Sequence, residues 1–221
     1  MEQGIDLRRH ILDTYCVKGD VKSLEFCRKA YDFVMGNDKE GTPSTETHSD
    51  PIAVDLCLPS GTKWADRNIG AKSPEDTGLY FSWGNVDGHE AGKDYNFDIY
   101  DDTPGAEVDG DIDLAHDAAR VNLGEPWQMP TKDQFKELVD NCECEVCTLN
   151  GYRGRRFTSK INGNSIFMPF AGYISGTGLY DRGSDGHYWS ASLLSAAYGY
   201  GLNFSSGGVD PALIDNRFYG F

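Results

Sequence analysis

The cluster Cys142-Glu143-Cys144-Glu145-Val146-Cys147 alternates thiols with carboxylates and is the one cysteine grouping in the chain whose types and spacing invite a metal reading. Its CxxC pair, Cys144 and Cys147, is half of a closed zinc site. Such a site needs a second pair, and no His or Cys follows at finger-like spacing, so these are expected to be strand residues of a hairpin. Asp109, Asp111 and Asp113 alternate as calcium ligands do, yet the Gly and the distal Glu of an EF-hand loop are missing. A solvated acidic loop is the expected reading there, with calcium the alternative. His116 and His187 have the chemistry of general bases, but a lone histidine is more often a surface or satisfied core residue. No Ser-His-Asp order, GxSxG or phosphate-cradling glycine loop occurs. The chain is therefore expected to be non-enzymatic, with no cofactor and no resident metal.

Binding chemistry is better represented. Residues 188–221, YWSASLLSAAYGYGLNFSSGGVDPALIDNRFYGF, interleave aromatics with small, polar and aliphatic residues in no order that a helix or strand period explains. That mixture resembles a paratope, in which Tyr and Phe supply contact area at low rotamer cost while Ser, Gly and Asn adapt. After Trp189 the chain contains no Lys, Glu, Gln, Met or Trp. Those residues are the ones an Asn codon cannot reach when only its adenines are replaced. Trp189 and Phe204 are expected in the core, and Tyr198 and Tyr219 at the surface.

A segment of that kind needs a framework. The 221 residues suffice for one domain of ordinary size plus a small appendage. A formal charge of -15 argues against a nucleic-acid partner, because phosphate binding needs a basic face. No apolar run approaches bilayer length, and MEQGIDLRRHILDTY has no apolar stretch before its charges, so neither a membrane span nor an export signal is expected. The six cysteines are accordingly expected to stay reduced.

Residues 1–36 read as a helical hairpin. Ile5, Leu7, Ile11, Leu12 and Tyr15 recur at helical steps before Gly19, and Val21, Leu24, Cys27, Tyr31 and Val34 recur between Asp20 and Gly36. Two helices cannot bury both apolar faces alone, so the hairpin must pack on the main domain or on another subunit, which leaves homo-oligomerisation through it open. The polar residues 37–50 read as a linker. From residue 51 short strands and turns dominate: residues 53–56 and 63–65 flank Pro59-Ser60-Gly61, and residues 79–83 are a third strand-like run. Residues 86–113 form a long acidic surface segment. A short helix is expected over 113–121, and a stronger one over 130–139 with Thr131 as N-cap, Gln134 completing a capping box, and Phe135, Leu138 and Val139 as the buried stripe. Asn150-Gly151 and Asn162-Gly163 turn antiparallel strands, and the later glycines predict short strands with long loops.

Across residues 54–221, the strings VDLCLPSGTKWADRNIGA, GLYFSWGN, DAARVNLGEPWQMPTKDQFKEL, NGNSIFMPFAGY and HYWSAS occur in that order. They resemble the Fibrobacter succinogenes major paralogous domain group, related to the formylglycine-generating-enzyme branch of the C-type lectin fold. Members of this group include the variable proteins of diversity-generating retroelements, whose last stretch is rewritten by adenine-directed mutagenesis. The resemblance implies an α+β, C-type lectin-like fold with two helices and mixed, mostly antiparallel short strands. Its domain would span 51–221, with a variable segment at about 188–221 as the binding face.

Set against the asparagine-rich pattern of such segments, the rewritten positions would be Leu194, Ala197, Tyr198, Gly201, Asn203, Ser205, Gly208, Asp210, Leu213, Ile214, Asp215, Asn216, Phe218 and Tyr219. Tyr188, Trp189, Tyr200, Leu202, Phe204, Val209, Pro211 and Arg217 would be scaffold. Such segments usually continue a few residues beyond the last Gly-Phe, whereas this sequence ends at Phe221. The function implied is capture of a protein or glycan ligand on another cell. The alternatives are a phage or cell-surface adhesion module, or an oxidase of the formylglycine-generating kind, which would need reactive cysteines late in the domain where none follows Cys147. Display on a phage particle or cell surface would rest on another component.

Overall fold

The computed structural model describes residues 50–93, 96 and 110–221. The expected helical hairpin, all of the linker but Asp50, most of the acidic segment and Asp109 lie outside the described residues. The described residues belong to one compact unit, His48–Phe221. They are strand-rich and mixed, with two helices and antiparallel sheets, an α+β class.

Strands β1 (Ala53–Asp55) and β2 (Lys63–Ala65) pair antiparallel. Helix α1 spans Ala118–Leu123 and α2 spans Lys132–Asn141. Then β3 (Cys142–Leu149), β4 (Tyr152–Ser159) and β5 (Ser165–Pro169) form a meander. A small hairpin of β6 (Tyr173–Ser175) and β7 (Gly178–Tyr180) follows. Last come β8 (Asp185–Leu193), β9 (Tyr198–Ser205) and β10 (Val209–Asn216), ordered β10-β9-β8.

Local chemistry sets several of these boundaries. Helix α2 opens as its residues dictate: Thr131 Oγ1 accepts from the Gln134 N–H at 3.2 Å, and Gln134 Oε1 accepts from the Thr131 N–H at 2.9 Å. Between β3 and β4, Asn150 and Gly151 both take positive φ, 48° and 91°, the two-residue turn whose twist matches the flanking strands.

Helix α1 begins later than its residue pattern suggests. The Asp113 carboxylate accepts the Ala115 and His116 N–H groups and closes a turn, and Asp117 becomes the N-cap by accepting from the Arg120 N–H at 2.9 Å. Residues 79–83 form no ladder strand. Tyr80 makes one bridge to His89, and Phe81 and Trp83 pair instead with the C-terminal backbone.

The largest difference lies in residues 185–216, where three strands of eight or nine residues replace the expected short strands. Register shifts between Trp189 and Leu193, and between Asp210 and Leu213, break the two-residue period in the sequence. The sheet also has apolar groups on both faces. One face packs Leu202 and Phe204, both fully buried, with Leu56, Phe135, Leu138 and Phe157. Trp189 and Leu193 belong to a second cluster with Trp83, Ile112 and Phe221.

Candidate ligand-binding face

Strand β9 shows how the C-terminal segment is built. Leu202 and Phe204 point into the first cluster, where Phe204 meets Phe157, Phe170 and Tyr188 at ring-centroid distances of 5.8, 5.8 and 5.5 Å. The intervening positions face the other way, as strand alternation requires. They are Gly199, Gly201, Asn203 and Ser205. Gly199 is small because a Cβ there would stand 2.8 Å from the Trp83 ring.

The ends of the segment are pinned by groups outside it. Phe81 and Phe221 exchange backbone hydrogen bonds at 3.0 and 3.1 Å, Ile174 and Gly220 do so at 2.9 Å, and the Trp83 N–H donates to the Arg217 carbonyl at 2.9 Å. Two buried indoles add to this: Trp83 Nε1 donates to the Ser190 carbonyl at 2.7 Å, and Trp189 Nε1 to the Phe81 carbonyl at 3.0 Å. Arg155, buried beneath the sheet, donates through Nε and Nη2 to the Ser205 carbonyl and through Nη1 to the Cys144 carbonyl, all within 2.9 Å. Arg155→Met is expected to lower the unfolding free energy by about 2 kcal/mol, since it strands two carbonyls without their charged donor. Urea unfolding checks this, and a loss near zero would contradict it.

On that frame the segment's outward positions divide into two patches and the turns between them. Asn203, Asp210, Leu213 and Asp215 share the face that Gly201 and Ser205 also line, because Asp210 pairs with Asn203, Leu213 with Gly201 and Asp215 with Gly199. Tyr219 and Leu213 pack against the rim of the second cluster and stay half-buried. Tyr198, Ile214 and Asn216 lie on the opposite face. Tyr198 is 47% and Ile214 49% exposed, beside Tyr200, over whose ring Lys132 Nζ sits at 4.5 Å. Leu194 and Ala197 lie in the β8–β9 turn, Gly208 in the β9–β10 turn, and Phe218 follows β10, half-buried.

Two glycines proposed as rewritten positions differ sharply. Around Gly208 nothing lies within 4 Å of a Cβ. Gly201 is buried, and a Cβ there would stand 2.8 Å from the Tyr188 carbonyl oxygen on β8. Even a Cβ at that position requires the paired β8 backbone to shift.

Sequence reading missed the neighbours of the first patch. The β6–β7 hairpin sets Tyr173 opposite Tyr180, and their rings stack at 5.4 Å. Tyr173 also meets His187 at 5.0 Å and Tyr219 at 5.5 Å. The available signal was two tyrosines flanking a glycine turn in GYISGTGLYD, a hairpin that sets them side by side. Burial pushes the Tyr173 phenol above its ordinary pKa, reinforced by the nearby Asp181 carboxylate.

His187 is a half-buried ring between Tyr173 and Phe221, with Asn203 Nδ2 at 3.2 Å from its Nε2. Burial lowers its pKa, against an upward pull from Asp185, Asp215 and Asp181. The unfolded chain therefore binds that proton more readily. The stability His187 contributes is complete above the ordinary histidine pKa of about 6.5 and is lost as pH falls below it. Burial lowers His89 in the same direction. Urea midpoints should fall from neutral pH toward about pH 5, with a shallower slope in His187→Gln. An identical slope in the variant would contradict this assignment.

The described members of the other chemical candidates occupy strand and turn positions, and Asp109 lies outside the described residues. Cys144 and Cys147 stand an odd number of residues apart on β3 and so face opposite ways. Cys142 is buried with its thiol pushed up to about 11 by desolvation, and burial raises Cys144 as well. Asp111 accepts from Ser192 Oγ at 2.6 Å, and the Asp113 carboxylate meets His116 Nδ1 at 2.8 Å within its turn. Among the described residues no His, Cys, Asp and Glu group could hold a metal ion, and no helix is long and apolar enough to cross a membrane. A cleft of about 520 Å³ opens between Trp64, Phe81, Trp127, Met129 and Phe135, and none of the positions proposed as rewritten lines it. Comparison of the chain with protein-family models, curated proteins and solved structures gives no match.

Proposed function

We propose that this is a non-enzymatic ligand-binding protein with a C-type lectin-like domain of the formylglycine-generating-enzyme type, and that adenine-directed mutagenesis by a retroelement diversifies its C-terminal segment. The observation that carries this reading is the division within that segment. Leu202, Phe204 and Trp189 are buried and the backbone ends are held by residues 81–83 and 174, while Tyr198, Asp210 and Ile214 stand in solvent. Substitutions at such outward positions usually shift stability by less than about half a kcal/mol, which is what a rewritten surface requires. The ligand would be a protein or glycan presented by another cell or particle.

The absence of Lys, Glu, Gln, Met and Trp after Trp189 supports the retroelement part of the proposal. Burial raises the thiol pKa of Cys142 and Cys144, which makes those two cysteines poor nucleophiles, because the thiolate is the reactive form. The test is the sequence of the surrounding DNA. A near-copy of the last coding stretch, differing at adenines and lying beside a reverse transcriptase gene, is expected. A locus without such a repeat would remove the retroelement reading.

A further inference from the structure

The half-exposed aromatic surface beside the C-terminal segment is made largely by residues outside it. Tyr173, Tyr180 and His187 belong to β6, β7 and β8, and only Tyr219 comes from the proposed variable stretch. Tyr180 is 49% exposed, so part of its ring is open to a partner. Three carboxylates lie near this surface: Asp181, next to Tyr180, and Asp215 on β10 both act electrostatically on Tyr173, and Asp185 stands two residues before His187 on β8. Asp210 adds a fourth on the same face. Among the described residues none of these four carboxylates makes an ion pair. Asp210 and Asp215 each accept one local backbone N–H, and Asp181 and Asp185 are left to solvent or to a ligand. Ring faces carry negative potential, so stacked tyrosines beside carboxylates that make no ion pair among the described residues form a surface complementary to a cation.

We infer that the binding face extends onto the β6–β7 hairpin as a fixed half, and that it takes a basic segment of a partner protein. A lysine or arginine of that segment would sit against Tyr173, Tyr180 and Tyr219, between Asp181, Asp185 and Asp215. This rests on the reading of the C-terminal segment as a ligand-binding face and names the chemistry of its partner. Tyr173, Tyr180, Asp181 and Asp185 supply charge and ring area common to every variant of the segment, and the changeable positions, Asp215 and Tyr219 among them, refine which basic partner fits.

The test is isothermal titration of the full chain with a short synthetic peptide alternating glycine with lysine and arginine, beside its glutamate counterpart. Only the basic peptide is expected to bind, and Tyr180→Ala should weaken it about fivefold, the size of a partly exposed cation–π contact. Asp181→Asn with Asp185→Asn should weaken it about tenfold, and raising NaCl from about 50 to about 500 mM should do at least as much. Glu143→Gln with Glu145→Gln removes the same charge from exposed positions on β3 and should change the affinity less than about twofold. Equal losses in the two charge-matched pairs would reduce the effect to net charge and overturn the inference. Absence of peptide binding, or binding of neutral maltohexaose that is lost in Tyr180→Ala, would overturn it too. Such a failure alongside a template repeat in the DNA leaves the retroelement reading standing; peptide binding without a repeat does the reverse.

Discussion

Phe204→Ala is expected to lower the unfolding free energy by about 3–5 kcal/mol, while Ile214→Ala on the neighbouring strand costs under about 1 kcal/mol. Both residues lie in the C-terminal segment, and their side chains meet opposite environments. Phe204 is fully buried among Phe157, Phe170 and Tyr188, in the cluster that also holds Leu56, Phe135 and Leu138, so truncation leaves a cavity that helix and strands cannot jointly close. Ile214 has half its surface in water and loses little beyond strand propensity. Urea unfolding followed by circular dichroism measures both, and equal losses would contradict the division of the segment into framework and display.

The second large effect separates two glycines seven residues apart. Gly201→Leu should destabilise by about 3 kcal/mol, because its side chain must displace the β8 carbonyl of Tyr188, which is backbone and cannot swing aside. Gly208→Leu should cost less than about 1 kcal/mol, since open space surrounds that position. The same measurement decides, and a tolerated Gly201→Leu would show that β8 and β9 can part at the Trp189 register shift. Gly201 is accordingly a poor member of the diversified set on stereochemical grounds, although its place in the sequence pattern suggests otherwise.

Much of the framework could be read from residues. Thr131 and Gln134 announce the capping box of α2, Asn150-Gly151 specifies the β3–β4 turn, and Phe135 and Leu138 show the helix's buried stripe. These are local signals, carried by neighbours in sequence. What could not be read depends on distant partners. Residues 79–83 look like a strand, yet Tyr80 pairs with His89 while Phe81 and Trp83 donate to Phe221 and Arg217, and nothing local shows that. The length of β8–β10 was hidden because register shifts and a sheet apolar on both faces scramble the alternation. At the candidate site the composition of residues 188–221 pointed to a binding surface, but not to which positions share a face. That follows from pairings such as Asp210 with Asn203 and Leu213 with Gly201. Tyr173 was not legible as part of the site because its proximity to Tyr219 is created only when the C-terminal backbone returns to pair with Ile174.

The most direct test of the account rewrites the outward positions together, with Ala197→Asn, Tyr198→Asn, Gly208→Asn and Ile214→Asn in one chain, and measures its unfolding free energy in urea. A surface built to vary predicts a cooperative transition weakened by no more than about 1.5 kcal/mol, chiefly lost strand propensity. A loss of about 3 kcal/mol or more, the size of a core truncation, would mean that these side chains hold the fold together, and would contradict the account.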